Sequence, residues 1–204
     1  MATRKNPQAS FSGKLPPKKV ANAEVRPREY LTEKEVEKLV AAAKRVGRHG
    51  LRDSTLILLS YRHGLRVSEA VALRWDMVEL DKGRLHVKRM KSGLDSVHPL
   101  RAPELRALRK LKREYPDSSY LFVGERGGPI TDSSARKIIA RAGEQAGISF
   151  PVHPHMLRHA CGFTLANRGH DTRAIQAYLG HKNIQHTVRY TELSSERFND
   201  FWRG

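Results

Sequence analysis

Apolar positions along this chain recur mostly in the rhythm of helices. Val36, Leu39, Val40 and Ala43 repeat at three- and four-residue intervals, which predicts an amphipathic helix running to about residue 46. Its start is marked by Thr32 and Glu35 at capping-box spacing, and by Leu31 and Val36 at the spacing of a hydrophobic staple. A second helix is predicted over 51–62, stopped by Gly64, and a shorter third over 67–75. The rhythm then changes. Leu85, Val87 and Arg89 alternate with His86 and Lys88 as in a strand, and the turn Lys91-Ser92-Gly93 leads into a second extended piece through Val97. Helical spacing returns over 103–115, with Leu105, Leu108 and Leu111 on one stripe. Residues 120–123 are a short strand candidate before the turn Gly127-Gly128-Pro129. Three more helices are predicted over 132–146, 154–168 and 171–179, the last two closed by Gly169 and Gly180. A final amphipathic segment sets Phe198, Phe201 and Trp202 on one face, to pack on its own domain or on a neighbouring protomer. The expected fold class is mainly α with a small antiparallel β-sheet (α+β), in one domain.

Charge sharpens this picture. Lys and Arg number 38 against 21 Asp and Glu, a net charge of +17 that calls for a polyanionic partner, nucleic acid before an anionic membrane surface. The first 28 residues carry Arg4, Lys5, Lys14, Lys18, Lys19, Arg26 and Arg28 against the single acid Glu24, with four prolines and few large apolar residues. That composition predicts a disordered tail able to follow a phosphate backbone. The expected division is therefore a basic tail over 1–28 and a folded domain over 29–204. No apolar run is long enough to span a bilayer, and the N-terminus lacks a signal-peptide core. The single cysteine, Cys161, excludes an internal disulfide and suits a reducing cytoplasm.

Candidate chemistry gathers in the last quarter. His155 and Arg158 lie three apart at the start of a helix opened by Pro154, where side chains of that spacing share a face near the positive helix end. His181 follows Gly180 into a loop, and Tyr190 comes nine residues later. Upstream, Arg66 stands at a helix start with Glu69 three residues on, and Lys91 sits in the hairpin turn. A tyrosine nucleophile, acid–base histidines and anion-binding arginines point to chemistry on a phosphodiester. His155 and His159 at i,i+4 raise a metal site as a rival, but Met156 occupies the place where a metalloprotease helix needs glutamate, so no metal is expected.

The segments 64–69, the Lys91 turn, 155–159, 179–181 and Tyr190, in this order and spacing, resemble the tyrosine recombinase (phage integrase) family. The likeness spans residue 30 to the C-terminus and is strongest to the short fimbrial phase-variation DNA invertases, through runs such as Val97-His98-Pro99-Leu100 and His153-Pro154-His155-Met156-Leu157-Arg158-His159. The resemblance implies the family's catalytic-domain fold over 29–204. It implies that Tyr190 attacks the scissile phosphate to give a 3′-phosphotyrosyl link, with Arg66 and Arg158 clamping the non-bridging oxygens. It casts His155 as acid–base partner of the tyrosine, Lys91 as proton donor to the leaving 5′-oxygen and His181 as a transition-state donor. Glu69 and His159 become groups that orient the arginines and the loop. Neither metal nor ATP is needed, and no cofactor is expected. The implied partner is double-stranded DNA with paired recombination sites, bound by a tetramer assembled from free monomers with the help of accessory DNA-bending proteins. The implied location is the bacterial cytoplasm, at the nucleoid. Most family members carry a separate helical DNA-clamping domain ahead of the catalytic one; here the basic tail is expected to stand in for part of it. Two other readings fit the charge: a non-catalytic DNA-binding regulator, which leaves the placement of Tyr190, Arg66 and Arg158 unexplained, and a type IB topoisomerase, which shares the chemistry.

Overall fold

The computed structural model describes residues 28–89 and 93–192. Helix α1 (Glu33–Arg45) opens as its sequence predicts. The backbone N–H of Thr32 donates to the Glu35 carboxylate at 2.8 Å, and Thr32 Oγ1 accepts from the Glu35 N–H. Leu31 and Val36 are both buried beside this cap.

Helix α2 (Gly50–Arg62) is the axis of the domain. Ile57 and Tyr61 on one side join α1 and the C-terminal helices α6 (Pro154–Asn167), α7 (Thr172–Leu179) and α8 (Gln185–Glu192). On the other side Leu56 and Leu59 join a second core with Leu85, Val87, Leu108 of α4 (Ala102–Glu114) and Ile138 of α5 (Asp132–Gln145). A helix apolar on both faces has to sit between two layers, and α2 does.

Helix α3 runs only over Val67–Val71, shorter than the 67–75 the sequence predicts. The reason is tertiary. Trp75 N–H donates to Ser119 O and Leu121 N–H to Leu73 O, so the chain leaves the helix to bond the 119–121 segment. That segment forms isolated bridges, Arg74 with Tyr120 and Val123 with Pro129, in place of a regular strand. A short 3₁₀ turn (Trp75–Met77) then leads into β1 (Val78–Glu79), too brief to leave a periodic trace in the sequence. The antiparallel sheet is ordered β1-β2-β3, with β2 over Arg84–Val87 and β3 over Ser96–Pro99, and Leu85 faces His98 across the β2–β3 pair. The chain is thus mainly helical with one small antiparallel sheet, as its periodicity predicts.

Helix α8 was not evident from the residue pattern, which reads the chain after Gly180 as loop. It packs on α6 and α7 through Thr187 and Tyr190, both buried. The Phe198, Phe201 and Trp202 stripe lies outside the described residues, as do all the tail cations from Arg4 to Arg26. Arg28 is inside them and belongs to the domain. Its guanidinium pairs with Glu35 and stacks 5.5 Å from the ring centre of Tyr30 and 5.4 Å from that of Phe150. No helix among the described residues is long and apolar enough to cross a membrane.

Candidate active site

The site begins at a helix cap. Arg66 precedes α3, and the Glu69 carboxylate turns back to accept the Arg66 backbone N–H at 2.9 Å and its guanidinium at 2.7 Å. Glu69 is buried, and two further arginines reach it. Arg89 Nη1 stands 2.8 Å from Oε2, and Arg158 Nη1 stands 3.9 Å from the same atom. Burial pushes the Glu69 carboxyl up, but the Arg66 N–H and the Arg89 charge outweigh it and hold the group below its ordinary value. One carboxylate thus organises three guanidinium groups, leaving a surplus of positive charge suited to an anion.

Arg158 is 1 % exposed, on α6 one turn in from its N-terminus. It donates to Gly64 O and, at 2.7 Å, to Leu179 O, so the α2–α3 corner and the end of α7 fix its plane. Burial first, then Arg66 and Arg89, push its pKa down to about 10, which leaves it charged at neutral pH. Gly64 has φ +55, in the left-handed region that favours glycine, and a Cβ there would crowd Leu179 Cδ2.

Gly180, at φ +65, ends α7 and turns the chain so that His181 is buried, its Nδ1 2.8 Å from Thr187 Oγ1 of α8. Burial and then Arg158 push the His181 pKa down to about 3. Tyr190, 1 % exposed, fills the centre of the group. Its ring meets Phe163 edge-on with centroids 5.1 Å apart and lies near-parallel to His181 at 6.3 Å. Burial raises its pKa, and the Arg189 guanidinium beside it pulls the other way.

The family resemblance pairs the tyrosine proton with His155; in the structure the ring in contact with the hydroxyl is that of His159. His159 Nδ1 is 2.8 Å from the Tyr190 hydroxyl, while His155, one turn nearer the helix start and exposed, packs edge-on against the His159 ring at 4.3 Å. On α6 the i+4 position is the deeper one, which is why His159 and not His155 meets α8. Burial, then His155 and Arg189, bring the His159 pKa to about 3.

Arg66 and Glu69 at the start of α3, His155, Arg158 and His159 on α6, His181 just past α7 and Tyr190 on α8 are thus gathered together, and Lys91 lies outside the described residues. Two residues escaped the sequence reading. Arg89, two residues past β2, continues the buried register of Leu85 and Val87, and a charge in that register was the available signal. Arg189, whose Nη2 is 2.9 Å from His159 Nδ1 and 3.5 Å from the Tyr190 hydroxyl, gave no signal beyond adjacency.

A buried tyrosine ringed by histidines and flanked by carboxylate-held arginines defines an enzyme class that attacks phosphodiesters through a tyrosine. The comparisons agree. The Phage integrase family model matches residues 29–197, and the chain belongs to that family of tyrosine site-specific recombinases. It is 45 % identical over 181 residues to the Type 1 fimbriae regulatory protein FimE of Escherichia coli strain K12, covering 86 % of this chain and 91 % of that protein. It is 42 % identical to FimB of the same strain, over 88 % of this chain and 92 % of that one. The crystal structure of XerA recombinase superposes with a TM-score of 0.73 at 28 % identity, covering 85 % of this chain and 63 % of that one.

Proposed function

We propose that this recombinase inverts a DNA segment between paired recombination sites, in the manner of a fimbrial phase-variation switch. The likeness to the two fimbrial regulatory proteins, nearly end to end, supports that biological reading over integration or excision. The observation that carries the chemistry is the Tyr190 hydroxyl 2.8 Å from His159 on the wall that holds Arg158 and His181.

In the proposed reaction the Tyr190 oxygen bonds to phosphorus as the P–O5′ bond breaks. The phenol proton passes to a histidine, with neutral His159 in contact and His155 behind it. Arg66 and Arg158 bind the non-bridging oxygens, whose charge rises in the transition state. His181 donates to the same oxygens, and Lys91 protonates the departing 5′-oxygen. The phosphotyrosine retains the energy of the broken bond, so a 5′-hydroxyl from a second duplex can reverse the step. Four protomers on two duplexes complete the exchange, and the basic tail adds phosphate contacts. A plasmid with inverted candidate repeats tests this. Inversion by wild type supports the reading, whereas supercoil relaxation without site preference supports a topoisomerase.

A further inference from the structure

Arg189 and Tyr190 are adjacent on α8, where successive side chains ordinarily point away from one another. A cation in the last turn of a helix also has an ordinary task, meeting the free carbonyls there. Arg189 instead turns its guanidinium inward. Its Nη2 stands 3.5 Å from the Tyr190 hydroxyl, and its Cζ lies 5.2 Å from the centre of the Tyr190 ring.

The same Nη2 is 2.9 Å from Nδ1 and 3.1 Å from Nε2 of His159. These two nitrogens flank one ring carbon, and a donor approaching both in the ring plane would collide with it. The guanidinium therefore lies over the imidazole face. That leaves the Nδ1 lone pair, which is in the plane, to the Tyr190 hydroxyl at 2.8 Å. A cation over the face disfavours a proton kept on the ring: burial, then His155 and Arg189, hold His159 neutral at pH 7. For the phenol oxygen the same charge has the opposite effect. Burial opposes ionisation of Tyr190, and Arg189 is first among the groups that favour it.

Among the described residues, His159 and Arg189 are the groups within hydrogen-bond reach of that oxygen. The other groups facing Tyr190 are engaged elsewhere or uncharged. Arg158 donates to Gly64 O and Leu179 O, and His181 pairs with Thr187. His155 packs behind His159, and burial pushes the Cys161 thiol up to about 12.

We propose that Arg189 is a further catalytic residue, the cation that meets the charge of the Tyr190 phenolate. As the O–H bond breaks, the proton leaves through the histidines and the electron pair stays on the phenol oxygen beside Arg189. That oxygen then bonds to phosphorus as the P–O5′ bond breaks. In the reverse step the bond from phosphorus to tyrosine breaks and the pair returns to the same oxygen, so Arg189 serves religation too. The inference rests on the reading of Tyr190 as the nucleophile.

The test replaces Tyr190 in the full chain by 3,5-difluorotyrosine, a more acidic phenol of nearly the same size. Adduct formation on a nicked suicide duplex carrying candidate inverted repeats is timed at pH 7 and saturating protein. Wild type, Arg189→Gln and Arg189→Lys are compared, each with tyrosine and with difluorotyrosine. Residue 189 is exposed on its outer side, so glutamine there leaves no cavity. An opposite charge at this range favours ionisation by about tenfold or more. Arg189→Gln should therefore slow the tyrosine protein about tenfold or more, and difluorotyrosine should remove most of that loss. Arg189→Lys, which keeps the charge, should lose less. No loss in Arg189→Gln, or a loss of the same size with both phenols, overturns the proposal. Tyr190→Phe runs in parallel: absence of an adduct upholds the nucleophile, whereas an adduct removes that reading and the proposal with it.

Discussion

Tyr190 and Gly162 are in direct contact: a Cβ added to Gly162 would meet three carbons of the Tyr190 ring at 2.6–2.8 Å. Gly162 lies within α6, where glycine costs helix stability of roughly 0.5–1 kcal/mol relative to alanine, so its presence needs a packing reason. The tyrosine ring supplies it. Gly162→Ala should displace the ring and lower covalent adduct formation at least about tenfold, while DNA affinity stays near wild type, since a shift of about 1 Å at a reacting group can cost a hundredfold. Adduct yield and gel-shift affinity, measured on the same duplex, check this.

His159 and His155 are separable by substitution. His159→Gln should slow cleavage more than His155→Gln, because His159 makes the 2.8 Å contact to the hydroxyl. Single-turnover rates on a nicked duplex decide, and a larger loss for His155→Gln returns the proton to the residue the family resemblance favours.

Glu69→Ala should be costly twice over. Removing one partner of a buried ion pair costs about 3–5 kcal/mol, and here the Arg66, Arg89 and Arg158 charges would be left facing one another. Urea unfolding should show the loss in stability, and adduct formation should fall below detection.

Acid should destabilise the fold well before its carboxylates titrate. His98, His159 and His181 are buried with pKa values of about 3, against about 6.5 in the unfolded chain. A depressed histidine binds its proton more readily when unfolded. Stability is therefore complete above pH 6.5 and falls as pH drops below it, by up to about 1.4 kcal/mol per pH unit for each histidine. Glu69 and Glu104, held below the ordinary carboxylate value, add losses only below about 4.5. Melting temperature between pH 7.5 and 4.5 should fall steadily, and a flat profile over that window counts against the buried neutral histidines.

What the sequence disclosed follows from how local each signal is. The cap at Thr32 and Glu35, the αL glycines at 64 and 180 and the amphipathic stripes are local, and all stand in the structure. The early end of α3 at Val71 depends on residues 119–121, and no local pattern reports that. The site residues were legible because the family likeness supplies their order, yet the pairing of Tyr190 with His159 required knowing that α8 docks on the inner face of α6. Arg89 was legible only as an anomaly, a charge in register with Leu85 and Val87.

The tail can be weighed separately. Deleting residues 1–27 leaves the Arg28–Glu35 cap in place and should weaken DNA binding and flatten its dependence on salt, because fewer phosphates are neutralised. An unchanged slope of affinity against salt would show that the tail makes no backbone contacts.

The most direct measurement is covalent trapping on a nicked suicide duplex carrying candidate inverted repeats, with wild type and Tyr190→Phe side by side and divalent metal chelated. The account predicts a denaturant-resistant protein–DNA adduct for wild type and none for Tyr190→Phe, with equal binding by both. An adduct that persists in Tyr190→Phe, or specific binding by wild type with no adduct at all, would contradict it.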